Sequence, residues 1–275
     1  MKTAIITGAA GGIGTEITKA VAQAGYHVVM ACRNVEKAEA KKAEILSECS
    51  NGSIEIIPLD LSSLEATTSF AQAITSRFGT VDLLMNNAGM IPRRFEQTAD
   101  GFEQTVCVNF LAPFMLTWQL VPLMPKGARI VNMTSCTYKA GEIELPDFFY
   151  QGRKGSFRRL SIYSNTKLAI LFFTIELARR LQPKGITVNV ADPGIVSTDI
   201  ITMHQWFDPL TDLFFRPFIK TPRQGAETAI QLLLNEAYAE ISGELFANGK
   251  LKGIPPKYKK HRMLYKLFMD TELLY

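Results

Sequence analysis

The chain has 275 residues, 47% of them hydrophobic and 20% charged, which is ordinary for a soluble globular protein with a sizeable core. Residues 250–275 hold seven Lys and Arg residues against two acidic ones, a net charge of +5, and residues 1–249 carry −1. Because residues 1–249 carry no excess of basic residues, we do not expect nucleic acid as a partner. We find no apolar run of the roughly 18 to 20 residues that a membrane span needs. The first predicted strand follows Lys2 directly, so we expect no signal peptide and a cytoplasmic location.

Cysteine and histidine usage gives no sign of a disulfide framework or a metal site. The four cysteines are scattered without a Cys-x-x-Cys pair, which is typical of reduced thiols. The three histidines lie far apart in the sequence, so no metal is expected.

Short apolar runs alternate with longer amphipathic stretches along most of the chain. The predicted strands, mostly apolar on both faces, are 3–7, 26–32, 54–59, 81–86, 128–133, 186–191 and 243–247. The predicted helices are 13–24, 34–49, 63–78, 101–123, 160–181 and 222–237. This alternation predicts a single α/β domain with a Rossmann-type, doubly wound parallel sheet of about seven strands, in the order 3-2-1-4-5-6-7, with helices on both faces.

Two long segments interrupt this alternation, 137–159 and 199–221. The second is heavily aromatic and includes Trp206, Phe207 and Phe214. Long irregular insertions in compact domains are commonly functional lids. We expect the aromatic side chains either to line an apolar substrate cleft or to pack on the core.

A glycine-rich turn, Thr7–Gly14, joins the first strand to the first helix. Glycines at such a turn let the backbone approach a pyrophosphate, whose charge the helix N-terminus stabilises. The Gly-x-x-x-Gly-x-Gly spacing differs from the Gly-x-Gly-x-x-Gly fingerprint, and glycine also marks plain turns. The position between strand and helix favours a phosphate site. The candidate contacts are Gly8, Gly12, Ile13 and Gly14.

The end of the second strand bears on the choice of nicotinamide cofactor. Cys32 stands where NAD-binding folds commonly place an acidic residue, and Arg33 follows it. An arginine there can pair bidentately with the 2′-phosphate of NADP, and no carboxylate repels that phosphate. We therefore predict NADP(H), with Arg33, Asn34 and Lys37 as ligands. The alternative is an ordinary surface arginine at a helix start.

Tyr163 and Lys167 lie four residues apart in a predicted helix, on one face and about one turn apart. An ammonium beside a phenol favours the phenolate, so we expect the tyrosine pKa to fall from about 10 towards neutrality. Such a tyrosine can donate or accept a proton at a carbonyl or alcohol oxygen. Taken alone, the pair also fits an ordinary solvated helix.

Together these motifs resemble the short-chain dehydrogenase/reductase family. In the family's order, between about residue 3 and about residue 248, the chain has Thr7–Gly14, Asn86-Asn87-Ala88-Gly89, Ser135, Tyr163-x-x-x-Lys167 and Pro193-Gly194. Within the family, the segments that look like the retinol dehydrogenase branch are 31–34, 98–103, 137–159 and 218–222. Protochlorophyllide reductases are similar in the same regions.

The resemblance implies a set of four catalytic residues. Tyr163 would transfer the proton, Lys167 would hold the nicotinamide ribose, and Ser135 would hydrogen-bond the reacting oxygen. Asn109 would organise a proton-relaying water, although a polar residue in an apolar helix can also cap a kink. Cys136, beside the serine, is either a reactive thiol or, as is more usual for cysteine, a small buried residue.

The resemblance also implies the remaining cofactor contacts. Asp60 and Leu61 would lie at the adenine, although Asp60 can equally be the N-cap of helix 63–78. Asn87, Ala88 and Gly89 would lie along the adenosine half, unless they form an ordinary strand-ending turn. The nicotinamide carboxamide would bind the segment after the sixth strand, where Pro-Gly is otherwise a common turn. Its members are Pro193, Gly194, Val196 and Thr198.

We therefore expect residues 1–249 to form a dinucleotide-binding catalytic domain with lid segments 137–159 and 199–221, followed by a basic extension, 250–275. The expected activity is NADP(H)-dependent interconversion of a carbonyl and an alcohol on a lipophilic small molecule. A double-bond reductase and a non-catalytic NADP-sensing regulator are the alternatives. The resemblance implies a homodimer or homotetramer through the helices near 101–123 and 160–181. Residues 261–269 fit a helix that packs on the body or contacts a membrane surface or a subunit.

Overall fold

The computed structural model describes residues 1–49, 52–150, 157–196 and 219–274. Within these residues one sheet has eight strands in the order β3-β2-β1-β4-β5-β6-β7-β8. The strands are β1 Thr3–Thr7, β2 His27–Cys32, β3 Ser53–Pro58, β4 Leu83–Asn86, β5 Arg129–Met133, β6 Thr187–Asp192, β7 Leu245–Ala247 and β8 Lys250–Leu251. The predicted order of the first seven, all parallel, is confirmed. The eighth is antiparallel to β7, and its two residues are too short for a periodic signal.

Helices cover both faces of this sheet. They are α1 Gly12–Gln23, α2 Val35–Glu48, α3 Leu64–Arg77, α4 Gln104–Leu123, α5 Arg159–Leu181, α6 Pro222–Leu234, α7 Pro256–Lys259 and α8 Met263–Glu272. Alternate residues of a strand point to opposite layers. Ile5 joins the core under α3, α4, α5 and α8, whereas Ile6 joins the core under α1, α2 and α6. Because both layers are apolar, the strands are apolar at successive positions, which made them recognisable in the sequence.

Helix α4 is the central helix of one layer and contains a π-helical turn, Cys107–Leu111. By length and composition this 20-residue helix passes the test for a membrane span, with a mean hydropathy of 1.5, but 72% of that window is buried inside the protein. The statement that no segment is apolar over such a length is therefore wrong. Its burial is that of a core helix, with Phe110 and Phe114 fully enclosed.

The C-terminal residues pack into the same domain. Helix α8 places Phe268 in the core, 4.8 Å from Phe114 between ring centroids and 5.6 Å from Trp118. The guanidinium of Arg180 lies 4.0 Å from the centroid of the same ring. Of the arrangements expected for residues 261–269, packing on the body is the one that the structure shows. Residues 250–274 form a strand and two helices.

The first insertion contributes to the core rather than to the cavity described below. Phe148 and Phe149 are buried, and Phe148 meets Phe110 edge to face at 5.5 Å. Tyr150 stacks on Phe102 at 5.6 Å. Among the described residues of 137–159, only Thr137 lines that cavity. The aromatic residues Trp206, Phe207 and Phe214 of the second insertion lie outside the described residues.

Candidate active site

A cavity of about 720 Å³ lies at the carboxyl ends of the parallel strands, where open α/β sheets bind their ligands. The predicted site residues that line it are Gly8, Gly12, Ile13, Gly14, Arg33, Lys37, Asp60, Leu61, Asn87, Ala88, Gly89, Ser135, Tyr163, Lys167, Pro193, Gly194 and Val196. Asn34 and Asn109 do not line it, and Thr198 lies outside the described residues. Seven separate stretches of the chain are thus brought together at one edge of the sheet.

The glycine turn leaves no room for a side chain at Gly14. A Cβ at Gly14 would lie 2.2 Å from the Gly8 carbonyl oxygen and 2.8 Å from the Cα of Ala9. Gly8 adopts a positive φ of 64°, which glycine tolerates without strain. Helix α1 has Gly11 as its N-cap, without a side-chain hydrogen bond to the first turn. The amides at this helix end are therefore available to an anionic group such as a diphosphate.

Asn87 and Thr7 join the glycine turn to the end of β4. The Thr7 hydroxyl oxygen accepts hydrogen bonds from the backbone amides of Asn87 and Ala88, both at 3.0 Å. The side-chain Nδ2 of Asn87 donates to the carbonyl oxygens of Thr7 at 3.0 Å and Gly8 at 3.2 Å. The side chain of Asn87 thus holds the glycine turn against the end of β4, and both line the cavity. An ordinary strand-ending turn would not make these contacts.

Arg33 lies at the rim of the cavity with an exposed side chain. Among the described residues, no hydrogen bond or ion pair engages its guanidinium, so the group is available to an anion. Asn34 has another role, because its side-chain oxygen accepts from the Lys37 amide at 2.8 Å and caps α2. Burial raises the pKa of the Cys32 thiol, and backbone hydrogen bonds from Ala10 and Ala9 oppose that shift.

Asp60 is held in the loop after β3 and does not cap the next helix. Its Oδ1 accepts from the Ser62 amide at 2.9 Å and from the Ser62 hydroxyl at 2.7 Å. The N-cap of α3 is Ser63, whose hydroxyl accepts from the Ala66 amide at 3.1 Å. The helix-capping alternative for Asp60 is therefore wrong, since the aspartate shapes the loop on which it lines the cavity.

Lys167 connects α5 to the end of β5. Its buried Nζ donates to the Met133 carbonyl oxygen at 3.2 Å and lies 5.4 Å from the centroid of the Tyr163 ring. The Thr134 hydroxyl donates to the Lys167 carbonyl oxygen at 3.0 Å. A Cβ at Gly89 would lie 3.4 Å from the same Nζ. The loop after β4 therefore brings its glycine to the lysine.

Burial controls the pKa values of both groups. It raises the pKa of Tyr163 to about 12, a shift that a hydrogen bond with Ser135 opposes and the charges of Asp192 and Cys136 reinforce. It lowers the pKa of Lys167 to about 8, against the opposing effect of Asp192. The predicted fall of the tyrosine pKa is therefore wrong. Burial is the largest cause of each shift, with Lys167 buried and Tyr163 half-buried, and the ammonium lies over the ring.

Asn109 lies in the π-helical turn of α4, a feature frequent at functional sites. Its Nδ2 donates to the Met90 carbonyl oxygen at 2.9 Å and to the Thr166 hydroxyl at 3.1 Å, and its Oδ1 accepts from the Met90 amide at 2.8 Å. Thr166 in turn donates to the Tyr163 carbonyl oxygen at 2.7 Å. The asparagine therefore fastens the loop after β4 and helix α5 to α4, and its side chain does not reach the cavity.

Sequence reasoning missed the apolar part of the lining. Met90, Ile91, Val108, Leu160 and Ile195 all face the cavity. Leu160 and Ile195 are 65% and 52% exposed, so both offer aliphatic surface that a ligand could cover. The spacing of Leu160, three residues before Tyr163 on one helix, is a signal that could have identified it.

Cys136 also differs from expectation. It is exposed and lines the cavity next to Ser135, whereas Cys32, Cys49 and Cys107 are buried. Its side chain lies on the short helical turn that follows β5, Cys136–Ala140, and this turn presents the thiol to the cavity.

Comparisons with known proteins agree with this architecture. The family model for short chain dehydrogenase matches residues 2–148 and 150–206. Human retinol dehydrogenase 12 is 34% identical over 276 residues, covering 99% of this chain and 86% of the relative. Mouse retinol dehydrogenase 11 is 37% identical over 252 residues, covering 91% and 78%.

Solved structures share this fold. An uncharacterized protein from Mycobacterium paratuberculosis superposes with a TM-score of 0.79 at 27% identity, covering 100% of this chain and 93% of that one. A short chain dehydrogenase from Burkholderia cenocepacia, in complex with NADP, superposes with a TM-score of 0.71 at 26% identity, covering 90% and 95%. The cavity with its glycine turn fits a nicotinamide cofactor. The chain belongs to the short-chain dehydrogenase/reductase family of oxidoreductases, in its retinol dehydrogenase-like branch.

Proposed function

We propose that this protein is an NADP(H)-dependent oxidoreductase that interconverts a carbonyl and an alcohol on a lipophilic small molecule. The observation that carries this proposal is the meeting of Tyr163, Ser135 and Lys167 with the glycine turn and an apolar wall in one cavity. A proton donor, an anion-binding helix end and apolar surface are the three elements that such a reaction needs.

The cavity residues divide into two groups, one that would bind the phosphates of the cofactor and one that would bind its nicotinamide end. The turn Gly8–Gly14 would hold the diphosphate at the start of α1, and Arg33 would pair with the 2′-phosphate. Lys167 and Pro193–Val196 would hold the nicotinamide end, and Thr198 is proposed as a further contact there. NADP(H), when bound, supplies or accepts the hydride.

The protein groups move and hold the proton. With a pKa raised to about 12, Tyr163 is protonated at neutral pH, so it can donate to a carbonyl oxygen during reduction. The Ser135 hydroxyl, whose interaction with Tyr163 opposes the rise of the tyrosine pKa, can donate to the same oxygen and stabilise its developing charge.

The substrate class follows from the aliphatic part of the cavity lining. Met90, Ile91, Leu160 and Ile195 present aliphatic surface. Burying the exposed aliphatic area of Leu160 and Ile195 on a ligand is favourable at about 25 cal/mol per Å². We therefore propose lipophilic aldehydes, ketones or secondary alcohols as substrates.

The direct test compares NADPH oxidation by the unmodified protein and by Tyr163→Phe with a panel of carbonyl compounds of rising hydrophobicity. We expect turnover that increases with hydrophobicity, and a loss of about 10²- to 10⁴-fold in Tyr163→Phe, with NADPH binding retained. Equal residual signal in both proteins would favour the non-catalytic NADP-sensing regulator. A saturated carbonyl product, in place of an alcohol, would favour the double-bond reductase.

Cofactor preference is tested separately with Arg33→Ser. We expect kcat/KM for NADPH to fall about 10- to 100-fold, since a charged partner of the 2′-phosphate is lost, and the value for NADH to change little. Arg93→Ser is the control, because Arg93 is exposed and does not line the cavity. A higher kcat/KM with NADH than with NADPH in the unmodified protein would refute the preference.

A homodimer or homotetramer stays a prediction. In the structure α8 packs against both helices that the resemblance places at the interface, through Phe268 on Phe114 of α4 and on Phe173 of α5. An interface on this face would therefore form around α8. Light scattering on the purified full chain measures the oligomeric state directly.

A further inference from the structure

Lys220 lies directly behind the cavity wall formed by Pro193–Val196. Its Nζ donates to the Pro193 carbonyl oxygen at 2.9 Å and to Asn248 Oδ1 at 2.7 Å. Its backbone amide donates to the Ile195 carbonyl oxygen at 2.8 Å, and Val196 and Lys220 form a parallel bridge. The lysine therefore holds this four-residue wall through both its main chain and its ammonium.

The wall is also held from other sides. Asp192 Oδ1 accepts from the Gly194 amide at 2.9 Å, and Gly194 adopts a φ of 77°. Val196, 3% exposed, packs where Gly225 lacks a side chain, since a Cβ at Gly225 would lie 2.6 Å from Val196 Cγ2. A carboxylate and an ammonium thus hold the Pro193-Gly194 turn at two points, and the start of α6 supports Val196.

Asn248 connects this arrangement to the sheet. It follows β7, whose Ala247 pairs with Asp192 at the end of β6, and it adopts a positive φ of 54°. Positive φ is uncommon for residues other than glycine, and asparagine is enriched there. The ammonium of Lys220 therefore bridges the cavity wall to a fixed position at the sheet edge. Ammonium groups hydrogen-bonded to two oxygens hold geometry more strongly than neutral donors do.

We infer that Lys220 is a positioning residue for the reaction. It does not line the cavity, but it fixes the wall on which the reacting end of the cofactor would bind, in the same cavity as Tyr163. This inference rests on the proposed use of the cavity for NADP(H). A displacement of about 1 Å at a reacting centre can cost on the order of 100-fold in rate, so the loss of this bridge should affect the chemical step more than cofactor affinity.

The test compares Lys220→Met with Lys252→Met, a control at an exposed lysine whose side chain makes no hydrogen bond or ion pair among the described residues. For Lys220→Met we expect kcat to fall about 10- to 100-fold and the NADPH dissociation constant to rise by less than about 10-fold. The primary isotope effect with C4-deuterated NADPH should increase, because hydride transfer becomes rate-limiting. Lys252→Met should match the unmodified protein in all three measurements.

A double-mutant cycle with Asn248→Gly tests the bridge itself. Glycine accepts the positive φ and removes Oδ1, so we expect a fall in kcat of about 3- to 10-fold and strong non-additivity with Lys220→Met. Lys220→Arg, which keeps the charge and its donors, should recover part of the lost kcat. If Lys220→Met proves insoluble, the kcat values of Asn248→Gly and Lys220→Arg still test the role of the Lys220–Asn248 bridge.

Three results would overturn the inference. The first is a Lys220→Met variant whose kcat and isotope effect both stay within about twofold of those of the unmodified protein. The second is a lowered melting temperature with unchanged kinetics below it, which would make Lys220 merely structural. The third is an Asn248→Gly variant with unchanged kcat. If the unmodified protein binds neither NADPH nor NADP+, the proposed function fails together with this inference, whereas an active unmodified protein with unaffected variants refutes Lys220 alone.

Discussion

The Lys167 ammonium lies over the Tyr163 ring, 5.4 Å from its centroid, and donates to the Met133 carbonyl oxygen at 3.2 Å. In this position Lys167 is buried and Tyr163 is half-buried, and burial shifts the pKa of each towards its neutral form. The pair therefore consists of a protonated phenol and an amine that titrates near pH 8. The pH dependence of activity and of stability should both report this.

The pH dependence of kcat/KM for NADPH, which reports groups of the free enzyme, should show one basic limb near pH 8. Lys167 has its pKa lowered to about 8, so it loses its charge as pH rises through that value, whereas Tyr163, raised to about 12, stays protonated. Carbonyl reduction measured from pH 6 to 10 gives the profile. In Lys167→Arg, whose charge does not titrate, the limb should disappear. A profile that is flat to pH 9.5 would contradict the assignment.

Replacing Lys167 by methionine should stabilise the protein while abolishing turnover. The pKa in the folded state, about 8, lies below the ordinary 10.5, so the unfolded chain binds more protons between these values and stability rises with pH there. At pH 7 the buried charge costs stability, and we expect Lys167→Met to gain about 1–3 kcal/mol.

Urea unfolding of both proteins at pH 7 and at pH 9.5 checks this sign, because titrations shared by the two proteins cancel in the difference. The advantage of Lys167→Met should shrink at the higher pH. A variant that is less stable than the unmodified protein at pH 7 would show that the bond to Met133 outweighs the cost of burial.

Gly14→Ala should disrupt the glycine turn. Its Cβ would lie 2.2 Å from the Gly8 carbonyl oxygen, so the backbone of the turn must move, at a cost of about 2 kcal/mol or more. NADPH affinity should fall at least about 10-fold, since the amides at the start of α1 move with the turn. Gly79→Ala is the matched control, because a Cβ there meets nothing within 4 Å. Fluorescence titration and thermal unfolding measure both effects, and wild-type affinity in Gly14→Ala would refute the diphosphate role.

Phe268→Ala should destabilise the whole domain by about 3–5 kcal/mol, as expected for removal of a fully buried ring. Phe268 is 2% exposed, whereas Tyr265 on the same helix is 58% exposed. Tyr265→Ala should therefore change the free energy of unfolding by less than about 0.5 kcal/mol. Equal, small effects of the two substitutions in chemical denaturation would mean that α8 is not part of the cooperative unit.

The fold was predictable because the pattern that specifies it is local. Strands such as β1 and β5 are apolar on both faces since helices cover both, and the glycine turn marks where the first strand meets its helix. Arg33 and the Tyr163–Lys167 pair were identifiable for the same reason. Arg33 directly follows β2, and the tyrosine and the lysine lie four residues apart on one helix.

The properties that sequence reasoning missed depend on three-dimensional surroundings. The direction of the Tyr163 pKa shift is set by burial, which spacing along a helix does not give. Asn34 and Asn109 are polar residues near the site, but their side chains are hydrogen-bonded to other groups of the protein. Phe148 was assigned to a lid because its segment looked irregular, and only the packing against Phe110 identifies it as core.

The exposure of Cys136 gives this protein a practical property. Its other thiols, Cys32, Cys49 and Cys107, are buried, so a maleimide dye should attach at one position only, on the lining of the cavity. Protection against labelling would then report occupancy by any small molecule, including compounds that are never turned over. Screening for natural ligands can thus proceed before a substrate is known.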